Sequence, residues 1–447
     1  MQINDIILSL NDLLWGWPMI LIGVGVGLLI TAYLRGVQFR YFFTAWRLLL
    51  TPKSVAAGVQ ADMTPFQAFL NALSASVGNG SIAGMATAVY SGGPGVAVWI
   101  FLFGLLSMAI RYCEVYLSTA FGTKKLGGGV VGGPMVYLSK VPGGSFLPYF
   151  YALFCLLLAL ASGNAMQVNS IRIGLVRILP VSALVVALIL LAFITYVMLG
   201  GAQRIVKVSD KIVPVKVGVF FVSAVLVLAY HYKAILPALK TIIAAAFTPQ
   251  AVIGAVIGLS IQRAMRFGIA RSLNASEAGL GTAAVIFGGS GSVQPVKDGI
   301  MSMLSSFITA NLICFSIVLM IVVSGVWNNG QTSLDLAISA YETVFGSLGG
   351  WIVTFISVTF GIGTLVTYAY IARNCWLFLT GGKFTHVLNF IYCAVTFLGT
   401  LASVDLVWNS TDLVNAGLLS LNLYGILMLL PAIATGLRTY EQSPTAK

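Results

Sequence analysis

The chain has 447 residues, 59% of them hydrophobic and only 8% charged, and its mean hydropathy is +0.98. A soluble domain carries about 25% charged residues, so this chain has too little polar side chain to cover a water-facing surface, and lipid is the expected solvent for most of it. The formal net charge of +12 raises the idea of a nucleic-acid partner, but in a membrane protein Lys and Arg gather in cytoplasmic loops and report topology.

The N-terminal apolar stretch has no basic segment before it and no A-x-A site after it, so the first span is expected to stay in the mature protein. In all, eleven apolar segments are long enough to cross roughly 30 Å of hydrocarbon, which takes about 20 helical residues. They begin near Leu13, Pro65, Gly95, Leu147, Val181, Lys211, Ala251, Gly299, Gly349, His386 and Asp412. Between the first two lies RYFFTAWRLLL (Arg40 to Leu50), whose aromatics, leucines and flanking Arg predict a helix lying in the membrane interface. The cysteines Cys113, Cys155, Cys314, Cys375 and Cys393 show no CxxC, so a disulfide framework is not expected.

Charge placement predicts the orientation. With the N-terminus outside, cytoplasmic connections hold Arg35, Arg40, Arg47 and Lys53, then Lys124, Lys125 and Lys140, then Arg204, Lys207, Lys211 and Lys216. Lys297, Lys383, Arg438 and Lys447 follow, whereas external connections hold only Arg172, Arg177, Lys233 and Lys240. The asymmetry predicts an N-out, C-in protein of the cell membrane.

Setting the first span aside leaves ten, which divide as five plus five. The expected organisation is an N-terminal span with the interfacial helix (1–62), a first five-helix repeat (63–232), a second (233–437) and a cytoplasmic tail (438–447). The first span of each half is interrupted by glycine: Gly78, Gly80 and Gly84 in one, Gly254, Gly258 and Gly268 in the other. An odd number of spans per half makes the halves antiparallel, and matched interruptions in inverted halves point to a transporter binding site. Unwinding a helix in mid-membrane frees backbone groups that cost several kcal/mol each if unpaired. Freed amides suit a carboxylate, and freed carbonyls suit a cation. Taken alone, a GxG is equally consistent with close helix packing.

The chain resembles the alanine or glycine:cation symporters over roughly Leu13 to Pro431. The resemblance rests on MTPFQAFLNALSASVGNGSIAGMATAVYSGGPG (Met63 to Gly95), VGGPMVYL (Val131 to Leu138), SGNAMQVNS (Ser162 to Ser170), FGIARSLNASEAGLGTA (Phe267 to Ala283) and SGVW (Ser324 to Trp327). It implies an all-α fold of the leucine-transporter type, with a five-plus-five inverted repeat, two broken helices and alternating access to a midplane site. By the same resemblance, Asn79, Gly80 and Ser81 hold the substrate carboxylate and Gln167 approaches its ammonium. Tyr368 closes the pocket where the family usually has Trp. Carbonyls of Ser74 and Val77 face a cation, and Gly363 and Thr364 stand where the family has a Thr-Thr pair; Thr364 also borders the substrate. The implied coupling ion is Na⁺, with H⁺ as the alternative, and no other cofactor is expected. Several positions depart from the family: Gly78-Asn79-Gly80-Ser81 stands for G-T-G-N, Thr309 for an Asp, and Ala372-Arg373-Asn374-Cys375 for G-E-R-C.

Other polar residues have plainer expectations. Arg271 and Glu277 are read as an ion-paired gate at the cytoplasmic mouth. Arg111 and Glu114, three apart on one helical face, are read as a structural pair. Arg263 and Arg266 are expected to snorkel, and Asp412 to anchor an interface. His231 and His386 match no metal-site spacing. GGGVVGGP lacks the G-K-[ST] ending of a nucleotide loop. No repeated filter segment suggests a channel, no His/Asp/Glu or Ser–His cluster in the spans suggests an enzyme, and no soluble segment is long enough for a sensor's output domain.

Overall fold

Within hydrocarbon a chain must satisfy its backbone N–H and C=O groups internally, and long apolar runs do so as helices. The computed structural model describes residues 14–15, 17–51, 61–124, 130–247, 261–402 and 404–443. They are almost wholly helical, with one two-residue antiparallel strand pair, Thr123–Lys124 against Val130–Val131. Among the described residues, six helices are long and apolar enough to cross a membrane: Val96–Ala120, Leu147–Ile178, Gly201–Tyr230, Pro295–Val323, Leu348–Thr380 and Thr411–Gln442. Shorter apolar helices occupy Trp17–Tyr33, Ala183–Leu199 and Thr385–Leu401. The expected starts at Gly95, Leu147, Val181, Gly349 and His386 fall within a few residues of observed helix starts. The span expected from Ala251 begins outside the described residues, as do Gly254 and Gly258. Arg40 to Leu50 yields a separate helix, Phe42–Leu50, with Ala45 buried and Phe43 and Leu50 exposed.

At the centre stands the helix Leu348–Thr380. It packs against Met166–Ile178, Gly201–Tyr230 and Leu147–Leu160. Its buried residues include Val353, Phe360 and Leu365. A second packed group joins Val96–Ala120 to Pro295–Ser306 and Ile261–Ser276. Apolar side chains also face outward on peripheral helices, as at Ile189, Leu199, Val222 and Phe390. In water such faces would be a liability; in lipid they are the ordinary surface. All five cysteines are free.

Local chemistry fixes where the helices start and bend. Thr64 accepts from the Gln67 amide while the Gln67 side chain accepts from the Thr64 amide, a reciprocal cap that starts Pro65–Ser76. Pro214 lies inside Gly201–Tyr230, where it cannot donate to the preceding turn. In Leu147–Ile178 a π-helical turn spans Ala161–Ala165. Its Gly163 lets the Tyr368 ring approach so closely that a Cβ there would stand 2.1 Å from the ring's Cγ.

Candidate functional site at two helix breaks

The first break follows Ser76. Val77 leaves helical geometry, Gly78 is extended, Asn79–Ser81 forms a tight turn, and the helix resumes over Ala83–Gly92. Gly78 is required by proximity: a Cβ would lie 2.8 Å from Thr364 Oγ1 and 3.1 Å from Gln167 Oε1. The freed carbonyls are not left bare. Thr364 Oγ1 donates to Ser74 O at 3.0 Å, with Val77 O at 3.4 Å. Lys216 Nζ donates to Ser74 O at 2.9 Å, to Val77 O at 2.7 Å and to Ser74 Oγ at 3.2 Å.

Lys216 corrects the sequence reading. It was counted with cytoplasmic loop charges, yet it lies inside Gly201–Tyr230 and is fully buried. Its long stem carries the ammonium to the oxygens expected to face a cation. Gly363 leaves room for it, since a Cβ at that position would stand 2.8 Å from Nζ. Ser74, Val77, Gly363 and Thr364 therefore converge as expected, and the group they converge on belongs to the protein.

The structure also brings Asn79 and Gln167 together, but on each other. The Asn79 amide donates to Gln167 Oε1 at 3.0 Å, and Gln167 Nε2 donates to Ser162 O at 2.9 Å. Asn79 Oδ1 accepts from Ser357 at 2.7 Å, and Ser81 donates to Ser76 O at 3.3 Å. Ser76 shares a hydroxyl contact of 3.0 Å with Thr309. Asn169 bridges helices by donating to Gly399 O and Ala402 O.

Of the glycines expected to interrupt the second half, Gly254 and Gly258 lie outside the described residues, and Gly268 does not break its helix. Gly268 sits within the continuous helix Ile261–Ser276, against Val96 and Trp99. A break among the described residues falls at Glu277 to Gly281, where Glu277, Gly279 and Gly281 have φ of 53°, 96° and 80°. The helix then resumes over Thr282–Phe287. A left-handed non-glycine residue such as Glu277 costs about 1–3 kcal/mol and persists only when its surroundings hold it. Here they do: Glu114 Oε1 accepts from the amides of Gly279 and Gly281 and from Asn422 Nδ2, each at 2.8 Å. Asn422 Nδ2 also lies 2.8 Å from Gly279 O. Arg111 donates to Ser276 O and lies 3.3 Å from Glu114, and Tyr151 donates to Leu280 O at 2.8 Å. The Arg111–Glu114 pair is real, and it closes the backbone of the second break.

Between the breaks lies a small cavity lined by Gly80, Met166, Asn274, Glu277, Tyr368 and Asn415, among others. Glu277 Oε1 accepts from the Tyr368 hydroxyl at 2.5 Å, and Oε2 from Thr282 at 2.7 Å. The expected Arg271–Glu277 pair does not form. Arg271 lies 3.6 Å from Asp412, which also accepts from Asn274 at 3.0 Å. Asp412 is thus a partner of Arg271 beside the cavity and not an interface anchor, and Glu277 belongs to the break and not to a peripheral mouth. Arg266 donates to Trp15 O at 3.2 Å. Of the residues expected at the substrate, Gly80 and Tyr368 line the cavity, while Asn79, Ser81, Gln167 and Thr364 are buried but not part of its lining.

Two features escaped sequence reasoning although signals existed. Lys216 is the lone charge in the apolar run VPVKVGVFF, one turn past the predicted start of its own span. The pair Gly279 and Gly281 follows a helix with no C-terminal base and has the spacing of the first break's Gly78 and Gly80.

The model of the family described as the sodium:alanine symporter family matches residues 1–447. An uncharacterized transporter of Haemophilus influenzae is 30% identical, covering 99% of this chain and 97% of its own. The sodium/alanine symporter AgcS of Methanococcus maripaludis is 29% identical, covering 99% and 98%. A putative sodium/proton-dependent alanine carrier protein, YrbD of Bacillus subtilis, is 26% identical, covering 98% and 92%. With the membrane-length helices and the two breaks, the match identifies this multi-pass membrane protein as a member of the sodium:alanine symporter family.

Proposed function

We propose that this chain is a secondary active transporter that imports a small neutral amino acid, alanine or glycine, by symport with a cation. The observation that carries this is the facing pair of helix breaks, Val77–Ile82 and Glu277–Gly281, with a cavity between them. Backbone amides of the first break suit a carboxylate, and Glu277, with Asn274 and Asn415 nearby, offers acceptors to an ammonium. Met166 and the Tyr368 ring limit the room for a side chain. Five helices on each side of an inverted repeat, residues 63–232 and 233–437, would rock about this site in alternating access, with the N-terminus outside and the C-terminus inside.

The family's description and the printed names of the relatives support Na⁺ as the cation. One observation favours H⁺ as a second reading: Lys216 sits on the oxygens where Na⁺ was expected. The test is uptake of labelled alanine and glycine by reconstituted liposomes under an inward Na⁺ gradient, an inward H⁺ gradient, or neither. Accumulation above equilibrium under one gradient supports symport and names the ion. Equal uptake in all arms reduces the chain to a facilitator, and no uptake from tight vesicles holding folded protein removes the substrate assignment.

A further inference from the structure

An ammonium has three donors. Those of Lys216 have three acceptors within reach, Ser74 O at 2.9 Å, Val77 O at 2.7 Å and Ser74 Oγ at 3.2 Å. All three oxygens belong to the first break, at the point where the backbone leaves the helix. The fourth oxygen there, Thr364 Oγ1, donates its proton to the same carbonyls. The ammonium is fully buried, with the Phe360 ring 5.8 Å from Nζ. Gly363 completes the fit, because any larger residue would press a Cβ to 2.8 Å from Nζ and 3.1 Å from Ser74 Oγ.

From this geometry we infer that Lys216 is a built-in cation that fills the oxygen cage of Ser74, Val77 and Thr364 and excludes Na⁺ from it. The inference rests on the reading of the chain as a cation-coupled transporter and assigns ion specificity at that site. A sodium ion on the same carbonyls would have to displace the ammonium or share its oxygens with it. Displacement strands a charge among apolar helices, and sharing sets two positive charges against each other. The stem of Lys216 also ties Gly201–Tyr230 to the first break, so relative movement of these two elements must stretch or break these bonds. The residue is a specificity and positioning residue, since nothing places it against the substrate.

The test is equilibrium binding of ²²Na⁺ to the purified full chain, with choline replacing Na⁺ at constant ionic strength and no amino acid present. Wild type is expected to show no saturable binding that depends on Thr364, and its melting temperature is expected not to move with the exchange of Na⁺ for choline. Lys216→Ser, which empties the cage, is expected to gain one saturable Na⁺ site that Thr364→Val removes. Wild-type binding abolished by Thr364→Val would overturn the inference, as would a folded Lys216→Ser that binds no more Na⁺ than wild type. Should Lys216→Ser not fold, wild type and Thr364→Val alone decide the matter. Because no substrate enters the measurement, a chain that fails to carry alanine or glycine loses its proposed function while the Na⁺ result still stands or falls separately.

Discussion

The Tyr368 hydroxyl donates to Glu277 Oε1 at 2.5 Å, so one hydrogen bond joins the central helix Leu348–Thr380 to the break of another helix. The bond crosses one wall of the cavity, and both residues line it. Removing the hydroxyl leaves a buried carboxylate that still accepts from Thr282. An unpaired buried acceptor costs about 1–3 kcal/mol. Tyr368→Phe is expected to lower the uptake rate about 10-fold or more with the melting temperature nearly kept, because the ring still packs on Gly163. Uptake equal to wild type would show that the bond plays no part in transport.

Gly78 and Gly80 separate close approach from mere small size. A Cβ at Gly78 would meet Thr364 Oγ1 at 2.8 Å, whereas at Gly80 the nearest atom is Met166 Cε at 3.6 Å. Gly78→Ala is expected to abolish uptake and lower the melting temperature, since overpacking costs about 1–3 kcal/mol. Gly80→Ala should keep the fold and reduce uptake only in proportion to the cavity space it takes. Equal behaviour of the two variants would defeat this account.

Arg111 and Glu114 are both buried and lie 3.3 Å apart. Loss of one member of a buried pair costs about 3–5 kcal/mol. Glu114→Ala also strands the amides of Gly279 and Gly281. Thermal unfolding in detergent should show Glu114→Ala and Arg111→Met each strongly destabilised, and the double variant less so than the sum. Additive effects would mean that the two residues act independently.

Arg271 and Asp412 stand 3.6 Å apart beside the same cavity. If they gate it together, Arg271→Gln, Asp412→Asn and the double variant should lower uptake non-additively in a double-mutant cycle. Strict additivity of the logarithms of the rates would place the two residues in separate roles.

Much of the architecture was legible because helices in lipid are written in long apolar runs, and the first break was legible because Gly78 and Gly80 interrupt one. Gly268 was read as a break for a physical reason. Close packing and chain reversal both call for glycine, and only geometry separates Gly268, which faces Trp99, from Gly279 and Gly281, which hold positive φ. Charged residues were harder still. Topology rules place Lys and Arg by counting, and counting cannot tell a loop lysine from Lys216, whose stem reaches inward to backbone oxygens 142 and 139 positions earlier in sequence. Glu277 was paired with Arg271, whereas the turn at Glu277 carries its carboxylate to Tyr368 and Thr282.

Finally, the Asn79 amide that the proposed substrate carboxylate would claim already serves Gln167 Oε1 at 3.0 Å. Under the proposed function Gln167 would then compete with the substrate for that amide, and the affinity measured from outside would be the intrinsic affinity discounted by the fraction of time Gln167 is away. A shorter amide at that position, as in Gln167→Asn, would change both how often the seat is vacant and what holds it when empty.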